Sequence, residues 1–120
     1  RRDDASDRAD VLTTGAGAAT ATRRIVTEAL GFAQPAGNGA GEDVPFTTID
    51  DVCRGRRLAP AIVKIDVEGA EADVLRGARA TLAAHHPVIC LELHFDELER
   101  RGESAGAMLQ DLASLGYRFE

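Results

Sequence analysis

Two apolar runs flanking an amphipathic stretch organise the second half of the chain. Ala61–Val67 alternates Ile62, Lys64 and Asp66 on one face with Val63, Ile65 and Val67 on the other, the two-residue period of a strand. From about Ala70 to Ala84 the period lengthens. Val74, Ala78 and Leu82 recur every fourth residue with Leu75 beside them, which makes a helical stripe able to cover a sheet. Gly77 falls inside this pattern and costs about 1 kcal/mol relative to Ala, so close packing against a neighbour is the expected compensation. Val88-Ile-Cys-Leu-Glu-Leu93, opened by Pro87, is too continuously apolar for a half-wet strand and is predicted to be internal. The connection between the runs is long enough for a helical crossover, so the two strands should be parallel with right-handed topology.

On either side the signals are shorter. Ser104 is a plausible N-cap for a last helix carrying Ala105, Met108, Leu109, Leu112 and Leu115 at helical spacing, with Gly116 as its stop. Tyr117-Arg-Phe119 reads as the start of a further strand. Upstream, Val44–Thr48 is short and β-prone, and Thr48 with Asp51 resembles a capping box opening a helix through about Arg54. Phe32–Asp43, with Gly37-Asn-Gly-Ala-Gly41 inside it, reads as a surface loop. Ile25-Val26 with Ala29-Leu30-Gly31 fits a short strand or a helical turn equally. Residues 1–24 are charged, then Gly/Ala/Thr-rich, and read as a flexible lead-in or the remnant of an interrupted element. The division expected is therefore 1–43, flexible or degenerate, and 44–120, ordered. The Arg at position 1 and the strand signal at the end suggest a fragment or a trimmed chain.

Composition narrows the function. With 44% hydrophobic and 28% charged residues among 120, the chain suffices for one soluble domain. A net charge of −6 and a pI near 5.0 oppose binding to nucleic acid or an anionic membrane, and Arg23-Arg24 and Arg54-Gly-Arg56-Arg57 are too short to reverse that. No apolar run approaches the roughly 20 residues of a membrane span, so a cytoplasmic protein is expected. Cys53 and Cys90 cannot make a disulfide framework. Cys90, within an apolar strand, is expected to be a buried small hydrophobe.

Open parallel sheets bind ligands outside the carboxyl ends of their strands, and there this chain places acidic residues. Asp66 and Glu68 follow the first strand; Glu92 and His94 end the second. Each has an ordinary alternative. Asp66 can pair with Lys64, Glu68 and Glu71 can compensate a helix dipole, Glu92 can be solvated, and His94 can be a loop histidine. Asp66, Glu68, Glu92 and His94 form an oxygen-rich set of the kind that holds Mg²⁺, but their spacing has no metal-specific signature and no metal is assigned.

Val44-Pro-Phe-Thr-Thr-Ile-Asp-Asp51, Val63-Lys-Ile-Asp-Val-Glu-Gly-Ala-Glu71, Val74-Leu-Arg-Gly-Ala78, Pro87-Val-Ile-Cys-Leu-Glu-Leu93 and Leu115-Gly-Tyr117 together resemble the FkbM family of S-adenosylmethionine-dependent methyltransferases. The resemblance covers about Val44 to Phe119. It implies an α/β fold, part of a Rossmann-like class I methyltransferase with a mostly parallel sheet and covering helices, in which Ala61–Val67 is the fourth strand and Pro87–Leu93 the fifth. It further implies S-adenosylmethionine as cofactor and methylation of a hydroxyl on a small molecule or sugar-containing metabolite. Methyl transfer is an in-line displacement that needs alignment and, for a hydroxyl, help with its proton. Asp66 is then the expected base or electrostatic partner, facing donor or acceptor, with Glu68 beside it as the second catalytic candidate, and Glu92 and His94 would bind substrate. The family's cofactor-holding glycine turn is not identifiable. Thr13-Thr-Gly-Ala-Gly-Ala-Ala-Thr20 resembles it only faintly, lacks a third glycine, and is read instead as flexible linker. With half the sheet absent, a noncatalytic remnant serving as a structural or interaction module is the rival reading. An exposed sheet edge would favour self-association.

Overall fold

The computed structural model describes residues 9–27, 33–35 and 41–120. The elements run β1 (Gly15–Ala16), β2 (Ala21–Thr27), β3 (Ala33–Pro35), β4 (Glu42–Thr47), α1 (Ile49–Arg56), β5 (Ile62–Ile65), α2 (Glu71–Arg76), α3 (Arg79–His85), β6 (Val88–Leu91), α4 (Phe95–Arg100) and α5 (Ala105–Ser114). They form a small α/β structure with two sheets. Strands β1-β4-β2-β3 make one, and β5-β6 make the other.

The strand–helix–strand unit forms as the periodicity predicts. β5 and β6 are parallel, with Ile62 opposite Val88 and Ile65 opposite Leu91, and the Glu92 N–H donates to the Ile65 carbonyl at 3.0 Å just past the last pair. Alternation along β5 holds: Ile65 is buried and Val63 and Val67 are partly covered, whereas Ile62, Lys64 and Asp66 are exposed. Val74, Leu75, Ala78 and Leu82 form the buried stripe above the sheet, where they join Ile65, Leu98, Met108 and Leu112 in the core.

The long helix, however, breaks at Gly77-Ala78 into α2 and α3. The reason is a close approach. A Cβ on Gly77 would stand 2.0 Å from the Gly17 carbonyl oxygen, and the Gly77 carbonyl accepts the Asp50 N–H at 2.9 Å, so the junction is clamped between the β1 turn and α1. The Asp50 carboxylate then caps α3 from outside, accepting from the N–H groups of Ala80 and Thr81 at 3.1 and 2.8 Å. The caps expected at Thr48 and Ser104 are present, accepting from the N–H groups of Asp51 and Ala107. Gly116, at φ 91°, ends the last helical segment.

Other expectations require correction. The sheet is not mostly parallel: β4 and β3 both run antiparallel to β2, because short connections between these strands leave no room for crossover helices. Ala21–Thr27 is a strand, so residues 21–24 are not a flexible lead-in but fit the alternative of an interrupted element, and β3 lies within the stretch read as a surface loop. Ile25-Val26 is therefore strand, while residues 28–32 and 36–40 lie outside the described residues. β6 is paired with β5 alone among the described residues, so it is not internal. Val88 is 63% exposed and Cys90 is exposed too, since no described element covers the outer face of this two-stranded sheet. Tyr117–Phe119 does not form a strand. Tyr117 instead leans on His86 with ring centroids 5.8 Å apart. No described helix is long and apolar enough to cross a membrane.

Candidate active site

The carboxyl ends of β5 and β6 lead into two short turns that set the candidate residues. After Asp66 and Val67 the chain reverses through Glu68 and Gly69, both at positive φ, 49° and 99°. A Cβ at Gly69 would stand 2.5 Å from the Glu97 Cβ, so glycine here serves both the turn and the close approach of α4. Glu68 is held in a region sparsely used by non-glycine residues, a local strain that recurs at binding sites. Beyond β6, Glu92 and Leu93 lead to His94, the residue that precedes α4 and whose carbonyl accepts the Leu98 N–H at 2.9 Å.

Three of the four predicted residues converge. Asp66, Glu92 and His94 each offer a donor atom within 4.8 Å of the others. His94 Nε2 lies 3.9 Å from Asp66 Oδ1 and 3.8 Å from Glu92 Oε1. Glu68 is not part of this set. It lines an open cavity of about 330 Å³ with His94, Phe95, Asp96, Glu97 and Arg100, in which Phe95 is 64% exposed. The expected Lys64–Asp66 pair is present at 3.3 Å, but at the surface, where such pairs contribute little.

The residue that the sequence reading left out is Glu71. Assigned there to the helix dipole, its side chain has no solvent exposure. Its Oε1 accepts the Gly69 N–H at 3.1 Å and stands 2.6 Å from His94 Nδ1. A signal existed: Glu71 lies three and four residues before Val74 and Leu75, at the head of the stripe that turns into the core. The couple shifts both groups. The Glu71 hydrogen bond raises the His94 pKa above its ordinary 6.5, against burial, with help from the charges of Glu71, Glu92 and Asp66. Burial pushes the Glu71 carboxyl up, but His94, the Gly69 N–H and its own N–H outweigh that and hold it below its ordinary value.

The faint glycine turn packs against β4. The Gly17 N–H donates to the Thr47 carbonyl at 3.0 Å, the Thr14 hydroxyl to the Pro45 carbonyl at 2.7 Å, and Gly15 lies against the Phe46 ring. Its contacts hold β1 to β4 and fit it under Gly77.

No curated protein and no solved structure matches the chain. The family described as Methyltransferase FkbM domain matches residues 4–119, which reaches upstream of Val44 through the mixed sheet as well as the strand–helix–strand unit. With the Lys64–Glu71 string folded into the turn that carries Asp66, Glu68 and Glu71, and nearly the whole length matched, the chain belongs to the FkbM methyltransferase domain family.

Proposed function

We propose that the chain forms the acceptor-side wall of an S-adenosylmethionine-dependent methyltransferase with a Rossmann-like parent fold, in which β5 and β6 occupy the fourth and fifth strand positions. The convergence of Asp66, Glu92 and His94 at the carboxyl ends of two parallel strands carries this reading. The methyl donor supplies an electrophilic methyl on a cationic sulfonium, and an acidic crevice suits that charge. Asp66 is the residue proposed to face donor or acceptor, as base or electrostatic partner, and Glu68 to orient the reacting group from its strained turn. Glu92 and His94 present an acceptor and a donor or acceptor, respectively, to a hydroxyl-bearing substrate, proposed to be a small molecule or sugar-containing metabolite.

Calorimetry with S-adenosylmethionine tests the reading. Saturable heat that Asp66→Asn diminishes is expected. Absence of heat at millimolar cofactor, with the chain shown folded by circular dichroism, would overturn it as a statement about this chain. A noncatalytic structural module is the second reading, favoured by the use of the Gly15–Gly17 turn for packing.

A further inference from the structure

At the ends of β5 and β6 sits a buried charge that methyl transfer does not use. Glu71 is wholly enclosed and turned toward His94; Oε1 holds the imidazole at Nδ1, while Oε2 has no partner among the described residues. Burying a carboxylate oxygen without a partner is unfavourable unless positive charge lies close by. Gripped at Nδ1 from inside, the ring presents Nε2 outward to Asp66 and Glu92.

The separations there, 3.9 and 3.8 Å, are too long for hydrogen bonds. They suit donors that share a central atom. A cation about 2.1 to 2.5 Å from each donor sets opposite donors about 4.2 to 5 Å apart and adjacent ones about 3 to 3.5 Å apart, and the three donors already lie within 4.8 Å of one another, so the set is within a small closing movement of that arrangement. Asp66 meets Lys64 through Oδ2, which leaves Oδ1, the oxygen facing His94, unengaged. Around this point Asp66, Glu68, Glu71 and Glu92 outnumber Lys64 and His94.

We infer that Asp66, Glu92 and His94 bind one divalent metal ion, with Glu71 as the positioning residue that fixes the imidazole so that Nε2 meets the metal. Two carboxylates and one imidazole suit an ion of the Mn²⁺ type, its remaining positions open to water or to neighbouring hydroxyls of a ligand. A carboxylate behind a metal-bound imidazole is a recurrent arrangement, because it sets the tautomer and raises ligand basicity. The inference requires neither methyl donor nor acceptor, so it stands or falls separately from the proposed reaction.

The test is titration of the chelator-treated full chain with MnCl₂, followed by the electron paramagnetic resonance of free Mn²⁺ and by paramagnetic broadening of histidine ring signals. The chain has three histidines, so His85 and His86 serve as internal controls. One ion per chain is expected, with His94 broadened first. Glu92→Gln, at a side chain 61% exposed and therefore safe for folding, should weaken binding by about tenfold or more. Glu71→Gln should weaken it by roughly 10- to 100-fold while leaving a single site. Undiminished free-ion signal at millimolar Mn²⁺, broadening of His85 and His86 ahead of His94, or unchanged affinity in Glu92→Gln would each overturn the inference.

Discussion

Gly77→Ala and Gly55→Ala are the same substitution with opposite expected signs. Gly55 lies inside α1 and Gly77 ends α2 in a right-handed conformation, so at both positions alanine's smaller unfolded-state entropy gains up to about 1 kcal/mol. Gly77 has φ −75°, so alanine meets no backbone strain there, yet its Cβ would stand 2.0 Å from the Gly17 carbonyl oxygen and 3.1 Å from Thr48 Cβ. A backbone oxygen cannot swing aside as a side chain can. Either α2 and α3 shift or the β1 turn lifts, and the turn carries the Gly17–Thr47 hydrogen bond and the β1–β4 pairing. Overpacking of this kind costs about 1 to 3 kcal/mol and a lost hydrogen bond about 1 kcal/mol. After the entropic gain, Gly77→Ala should destabilise by about 1 to 3 kcal/mol. A Cβ at Gly55 meets nothing within 4 Å, so Gly55→Ala should stabilise by about 0.4 to 1 kcal/mol. Urea unfolding followed by circular dichroism measures both. Gly77→Ala stabilising the chain as Gly55→Ala does would refute the clamp between α2, α3 and the β1 turn.

Two further outcomes follow from the geometry around the strand–helix–strand unit. In chelator, the stability that wild type holds over Glu71→Gln should fall at both ends of the pH range: the His94 part is fully present below its ordinary 6.5 and is lost as pH rises through its raised value, and the Glu71 part is lost as pH falls through its lowered value. Urea midpoints measured from acid to alkaline pH should show that dome, and a difference independent of pH would refute the coupling. Ile62 and Val88, paired across the uncovered face of β5–β6 and 66% and 63% exposed, should make the isolated chain self-associate, and Val88→Lys should shift light scattering toward monomer; equal scattering from both proteins would exclude this face.

The second half of the chain was legible because each of its signals is local. The period-2 run at β5, the four-residue stripe of α2 and α3, and the caps at Thr48 and Ser104 are set by residues a few positions apart, and all appear in the structure. What escaped depends on distant partners. The antiparallel strands β2, β3 and β4 carry no clean alternation and are held by contacts that no window of sequence contains: Arg23 lies over the Phe46 ring and bonds Asp73. Continuous apolarity in Val88–Leu93 indicated burial on both faces, but it reports what a strand tolerates, and the described residues supply a cover on one side only. Glu71 was misread because a glutamate at a helix start is usually solvated. Its place on the stripe of Val74, Leu75, Ala78 and Leu82 was the stronger signal.

The string Asp66-Val-Glu-Gly-Ala-Glu71 reads as chemistry, yet half of it is packing. Gly69 has no functional group, but its missing side chain lets Glu97 Cβ approach to where a Cβ would be 2.5 Å away, and so lets α4 lie against the turn. His94 immediately precedes α4, so the same approach that Gly69 permits brings the imidazole to 2.6 Å from Glu71 Oε1, the oxygen to which the Gly69 N–H also donates. A larger residue at 69 would therefore displace the histidine without touching it. Asp66 and Glu71 owe their approach to His94 to the glycine between them, which makes the spacing of the string a folding requirement.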